Sequence, residues 1–127
     1  IRAEASSYDP GHPPLNVVAN DKFLYWTPKN EESSGYIDLY FDEPVSFNVV
    51  MMQEFIRHGQ KVSHYSISVL QGESWEEVAK GTTIGVKKMN VLEGTRTTHG
   101  VRLTIEDTWN DYVPEISRIG LFNSELY

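Results

Sequence analysis

NVVMMQEFIRHGQKV, residues Asn48 to Val62, decides how this chain folds. It opens on Val49, Val50, Met51 and Met52 and then, with no turn signal, runs into Gln53, Glu54, Arg57, His58, Gln60 and Lys61. From Phe47 to Phe55 the chain is apolar on both faces, the pattern of a central strand covered on two sides. Outward from it, alternation with a period of two recurs and helical periodicity is hard to find. Ile37, Leu39 and Phe41 share one face of Tyr36–Phe41, with Tyr36, Asp38 and Tyr40 on the other. Tyr65, Ile67 and Val69 fall together, as do Val101, Leu103 and Ile105, with Arg102 and Thr104 facing away. These are half-buried antiparallel strands. Gly72, Gly81, Gly94 and Gly100 punctuate the later segments at hairpin spacing. The expected fold is an all-β antiparallel sandwich. Tyr8–Asn16 and Thr27–Gly35, rich in Pro, Gly, Ser and Asn, read as loops inside one domain spanning residues 1–127.

Composition narrows the function. A chain of 127 residues can bury a core without staples. It contains no cysteine, which removes disulfides, thiolate metal sites and cysteine nucleophiles. A formal net charge of −7 argues against nucleic acid and anionic membranes, both of which are bound through clustered Lys and Arg. The chain starts at Ile1 and has no run of the roughly eighteen apolar residues that a spanning helix needs, so a soluble piece of a longer polypeptide is expected. Catalysis finds little support. The pairs Glu31-Glu32, Glu76-Glu77 and Glu106-Asp107 sit near expected turns and read as solvated surface. His12, His58, His64 and His99 lack metal-ligand spacing, and no nucleophile elbow, Walker loop or dinucleotide fingerprint is present.

Several stretches carry a family resemblance: ASSY at 5–8, NVVANDKFLYW at 16–26, YIDLYFDEPVSFNVVMMQEFIRHGQKV at 36–62, SWEEVAKGTTIGVKK at 74–88 and VRLTIEDTWNDYVPEISRIGLF at 101–122. Together they resemble a discoidin-type domain (coagulation factor 5/8 type C), and within it the carboxy-terminal sandwich of α-L-fucosidases, akin to family 32 carbohydrate-binding modules. The resemblance implies a jelly roll of about eight antiparallel strands, with loops at one end holding a shallow pocket for a terminal sugar. Asn48–Phe55 then becomes the central strand and Ile56–Lys61 the polar loop that follows it. It also implies a non-catalytic module of a glycoside hydrolase that is secreted, periplasmic or cell-surface, and a monomer. Trp26 matches the family's core tryptophan, and Trp75, leading a strand, reads as structural too. Trp75, Val78, Ile84 and Val86 can supply a core face, while Gly81 and Gly85 suggest a tight connection. Where the family commonly places arginine after the Gly-Gln pair, Lys61 keeps the charge and loses the planar fork.

Domains of this kind often hold calcium through an acidic loop and a glutamate in the last strand. Here Ala19 stands for the first acid, Leu24 for the threonine and Arg118 for the glutamate. Calcium wants six to eight oxygen ligands, so no metal is expected, and Arg118 is expected to fill the region, paired with Asp21. A sugar site needs an exposed aromatic for the C–H face and fixed polar groups for the hydroxyls. The candidates are Trp109, Asn110 and Tyr112 in one loop, Tyr8 and His12 in a second, and Arg57 and His58 in a third. The alternatives are a structural accessory domain packing on a catalytic domain with no ligand of its own, and a module for protein or lipid. The latter would show exposed hydrophobic spikes in basic surroundings, which the sequence does not reveal.

Overall fold

The computed structural model describes residues 1–125. Six strands form: β1 (Arg2–Ala5), β2 (Gly35–Glu54), β3 (Val62–Gln71), β4 (Ser74–Gly81), β5 (Lys88–Thr108) and β6 (Ile116–Phe122). Two of them, β2 and β5, run for 20 and 21 residues and break register between Tyr40 and Val45 and again between Phe47 and Val49. Each therefore serves two layers, which is why six continuous strands fill a sandwich expected to have about eight. One layer pairs in the order β1, β2, β5, β3, β4, with β2 contributing Gly35–Tyr40 and β5 contributing its carboxy-terminal half. The second layer sets β2 residues Val49–Glu54 between Lys88–Val91 of β5 and the whole of β6.

The alternations read from the sequence point where expected. Ile37, Ile67, Val69 and Ile105 are fully buried or nearly so, and Tyr65, Val101 and Leu103 join them. From the other layer come Phe47, Val50, Met52 and Ile119. Trp26 closes the core at one end with no exposed surface, its indole N–H donating to the Ser7 carbonyl at 3.0 Å. Its backbone exchanges hydrogen bonds with Ile116. The three carboxylate pairs are all exposed.

Other expectations change. Gly94 and Gly100 lie inside β5 rather than at hairpins, and only Gly72 turns a hairpin, at φ +64° between β3 and β4. Gly100 is small for another reason: a Cβ there would stand 3.2–3.3 Å from Leu70 and Trp75. At Gly81 a Cβ would meet the Tyr65 hydroxyl at 2.5 Å, so this glycine makes room for the Tyr65 side chain. Val86 is 65% exposed, and Trp75 packs on the outside of the larger layer, so neither belongs to the core face expected of them. That outer face is held by charge. Asp38, 2% exposed, accepts two hydrogen bonds from the Arg102 guanidinium at 2.6 and 2.8 Å, the bidentate geometry that makes such pairs strong. Arg102 is clamped between the rings of Tyr36 and Trp75, 3.9 and 4.5 Å from their centroids, and its hydrogen bonds to Asp38 raise its pKa.

A second buried charge ends the central strand. Glu54, 4% exposed, takes the Lys61 and Val62 amides on one oxygen, at 2.8 and 3.0 Å. Its other oxygen takes the Gly85 amide at 2.7 Å and the Gln60 side-chain amide at 3.3 Å. The Gly85 carbonyl in turn accepts the Glu54 amide. One carboxylate thus ties the loop after β2 to the connection between β4 and β5. Glu54→Gln must set an NH₂ against a backbone N–H in either orientation, and we expect it to cost about 3 kcal/mol, read as a lower urea midpoint.

Candidate carbohydrate-binding end

The loop held by Glu54 carries the candidate site. Ile56–His58 form a single 3₁₀ turn closed by Gly59 at φ +93°. Against it lies Trp109–Asp111, where Asn110 and Asp111 adopt left-handed φ values of 51° and 55°, a conformation that Asn and Asp tolerate better than other side chains. The Trp109 amide donates to the Lys61 carbonyl at 2.9 Å, and the Thr108 hydroxyl donates to the Tyr112 carbonyl at 2.6 Å. This tight return leaves both aromatics half out, Trp109 at 50% and Tyr112 at 49%. The Trp109 indole N–H donates to Gln60 Oε1 at 3.2 Å, which fixes its edge while its ring stays accessible.

Next to these sits Glu115, its side chain only 11% exposed. Lys61 Nζ donates to it at 2.8 Å, and His58 Nδ1 lies 2.9 and 3.0 Å from its two oxygens. A carboxylate only accepts, so Nδ1 carries the proton and the opposite edge of the imidazole faces outward. An aromatic row continues from His58: Phe55 at 4.9 Å, Tyr25 at 4.5 Å from Phe55, and His12 stacked on Tyr25 at 4.1 Å. Burial, and then the nearby Glu115 charge, raise the Tyr25 phenol above its ordinary pKa and keep it a neutral donor. The platform offers ring faces at its edges and, between them, acceptors and donors held by several partners.

Three of the expected loops therefore meet, through His12, His58 and the Trp109–Tyr112 return. Tyr8 does not join them, and lines a separate depression with Pro13, Pro14 and Leu15. Arg57 turns away as well, to lie 5.5 Å from the Phe23 ring. Sequence reading missed Tyr25, Phe55, Gln60 and Glu115. Tyr25 had a signal, since it precedes the buried Trp26 in extended chain and so faces the opposite way. Glu115 had none. The exposed Phe23 and Ile56 beside Lys22 and Arg57 form the apolar and basic combination that the sequence did not reveal.

Nor does the expected Asp21–Arg118 pair form. The Asp21 carboxylate folds back to accept the Phe23 amide at 2.9 Å, and Arg118 lies on β6 opposite Gln53. Neither Leu24 nor Arg118 carries a side-chain oxygen at the positions where the resemblance implies ligands.

Residues 2–119 match the model of the F5/8 type C domain, and the chain belongs to that family, a class of non-catalytic module. It is 31% identical over 115 residues to Alpha-L-fucosidase 1 of Arabidopsis thaliana, covering 86% of this chain and 22% of that protein. A GH29 fucosidase from Ruminococcus gnavus, solved with fucose, superposes with a TM-score of 0.86 at 27% identity, covering 96% of this chain and 25% of that one. The family 32 carbohydrate-binding module of Clostridium perfringens NanJ, solved with galactose, has the same fold: TM-score 0.83, 12% identity, coverage 94% and 91%. The chain spans about a fifth of the length of the curated relatives it matches. Among the described residues no helix is long and apolar enough to cross a membrane.

Glu115 is the polar centre of this end. Replacing it by Gln removes the charge and leaves one acceptor oxygen for Lys61 and His58, for an expected loss of about 1 kcal/mol of stability. The sharper readout is hydrogen exchange, which should accelerate in residues 56–61 and stay unchanged in β3.

Proposed function

We propose that this domain is a carbohydrate-binding module of a larger glycoside hydrolase of the α-L-fucosidase type, working outside the cytoplasm, and that its platform receives one terminal neutral sugar such as galactose or fucose. The observation that carries this reading is the pair of half-exposed aromatics, Trp109 and Tyr112, beside a fixed cluster of hydroxyl-binding groups. A pyranose presents a C–H face and a rim of hydroxyls. Trp109 would take the face, while Glu115, His58, Gln60 and the Tyr25 phenol would take the rim. Asn110 supports the turn that presents Trp109, and His12 backs Tyr25. Binding at one shallow pocket is weak, and repeated encounter along a glycan raises its effective strength.

A second reading, an accessory domain packed on a catalytic domain, is favoured by one surface. On the outside of the smaller layer, Met89, Val91 and Phe122 are 39, 50 and 43% exposed around the buried Val49 and Met51. Titration of the isotope-labelled domain with galactose, fucose and N-acetylgalactosamine separates the two. The binding reading expects shifts at the Trp109 indole and at residues 56–61, weakened at least about tenfold in folded Trp109→Ala. Silence at millimolar sugar would favour the accessory reading. We further propose that the domain needs no calcium: chelator should leave the melting temperature unchanged, and a marked fall would restore a metal to the loop at 19–24.

A further inference from the structure

On the other side of the same loop lies a cavity of about 270 Å³. Its walls are Phe23, Ile56 and Val86, and its floor is Gln53, Ser117 and the back of Glu54. Lys22 and Arg57 stand at its mouth, each 5.5 Å from the Phe23 ring centroid. We propose that this cavity is a second saccharide subsite, separate from the Trp109 platform, and that it takes one acidic sugar ring carrying a carboxylate.

Charge gives the first reason. In a chain with a net charge of −7, neither Lys22 nor Arg57 belongs to any ion pair among the described residues. Two unneutralised cations flank one opening. The only acid in the lining, Glu54, already accepts from three backbone amides and from Gln60, so its lone pairs are occupied. Glu54 keeps its charge, so the lining sums to +1, and the two exposed cations favour an anion between them.

Shape and polarity give the rest. Phe23 is 58% exposed, so its ring can receive the C–H side of a pyranose once the exposed Lys22 or Arg57 side chain over it swings aside. The volume lies just under the ~300 Å³ at which pockets for drug-sized ligands begin, which suits a single ring. On the floor, the Gln53 side-chain amide makes no hydrogen bond among the described residues although the residue is half-buried. Ser117 donates its hydroxyl proton weakly, at 3.3 and 3.4 Å, to the Gln53 and Glu54 carbonyls and keeps its lone pairs for an incoming hydroxyl. A carboxylate between Lys22 and Arg57, a ring over Phe23 and hydroxyls on Gln53 and Ser117 would use every unpartnered group of the cavity.

The test is a titration of the labelled chain with D-galacturonic acid, its methyl ester and galactose, following amides and side-chain signals. The acid should shift Phe23, Arg57, Val86 and the Gln53 side chain. Its apparent affinity should exceed that of the ester at least about fivefold and fall as salt is raised. Arg57→Gln and Phe23→Ala, both at exposed positions, should each abolish that preference, while Trp109→Ala should leave it intact. This readout is independent of whether the platform binds a neutral sugar. Equal shifts from acid and ester, or acid shifts confined to Trp109 and its loop, would overturn the proposal. So would sedimentation with phosphatidylserine vesicles that depends on Phe23, in the absence of any response to the acid.

Discussion

A single buried carboxylate sets the position of the loop on which the candidate platform is built. Glu54 stands where the central strand runs out of partners, and its four donors come from the loop that follows it and from the connection between β4 and β5. The two most distinctive stretches of the sequence, Gln53–Val62 and Trp75–Gly85, are thus two sides of one hydrogen-bonded knot. A carboxylate suits the place because it accepts several amides at once, where a neutral side chain would leave some of them unpaired. Both the platform and the cavity are built on the loop this knot holds, one on each side.

The sandwich divides its outer surfaces by chemistry. The larger layer closes its outer face with the Asp38–Arg102 pair, roofed by Tyr36 and Trp75, so those aromatics are spent on holding the sheet. Its smaller partner leaves Met89, Val91 and Phe122 partly uncovered. The aromatics free for recognition, Trp109, Tyr112 and Phe23, sit on loops, where a rigid framework can hold them without committing them to the core. Trp26, Trp75 and Trp109 show the three fates available to one residue type: fully enclosed, laid on a sheet over a cation, and presented to solvent on a left-handed turn.

Much of this was legible from spacing alone. Strand alternation is a local property, because side chains of extended chain point to opposite sides whatever lies around them. Ile37, Leu39, Tyr65, Ile67, Val69, Val101, Leu103 and Ile105 were therefore assigned correctly to the interior. The apolar run after Phe47 announced a strand covered on both sides for the same reason. Less legible was where strands end: β2 and β5 pass through two layers by shifting register, and the glycines within β5 looked like turns.

The sequence by itself determined an antiparallel sandwich, its buried faces and the loops able to carry chemistry, since each follows from the geometry of neighbouring residues. Which loops meet was decided by the tertiary structure. Glu115 reaches His58 and Lys61 across 57 and 54 positions, Trp109 reaches Gln60 across 49, and Arg57 leaves the group expected of it to lie over Phe23. Such pairings depend on strand register and on buried hydrogen bonds between distant segments, and no local pattern in the chain encodes them.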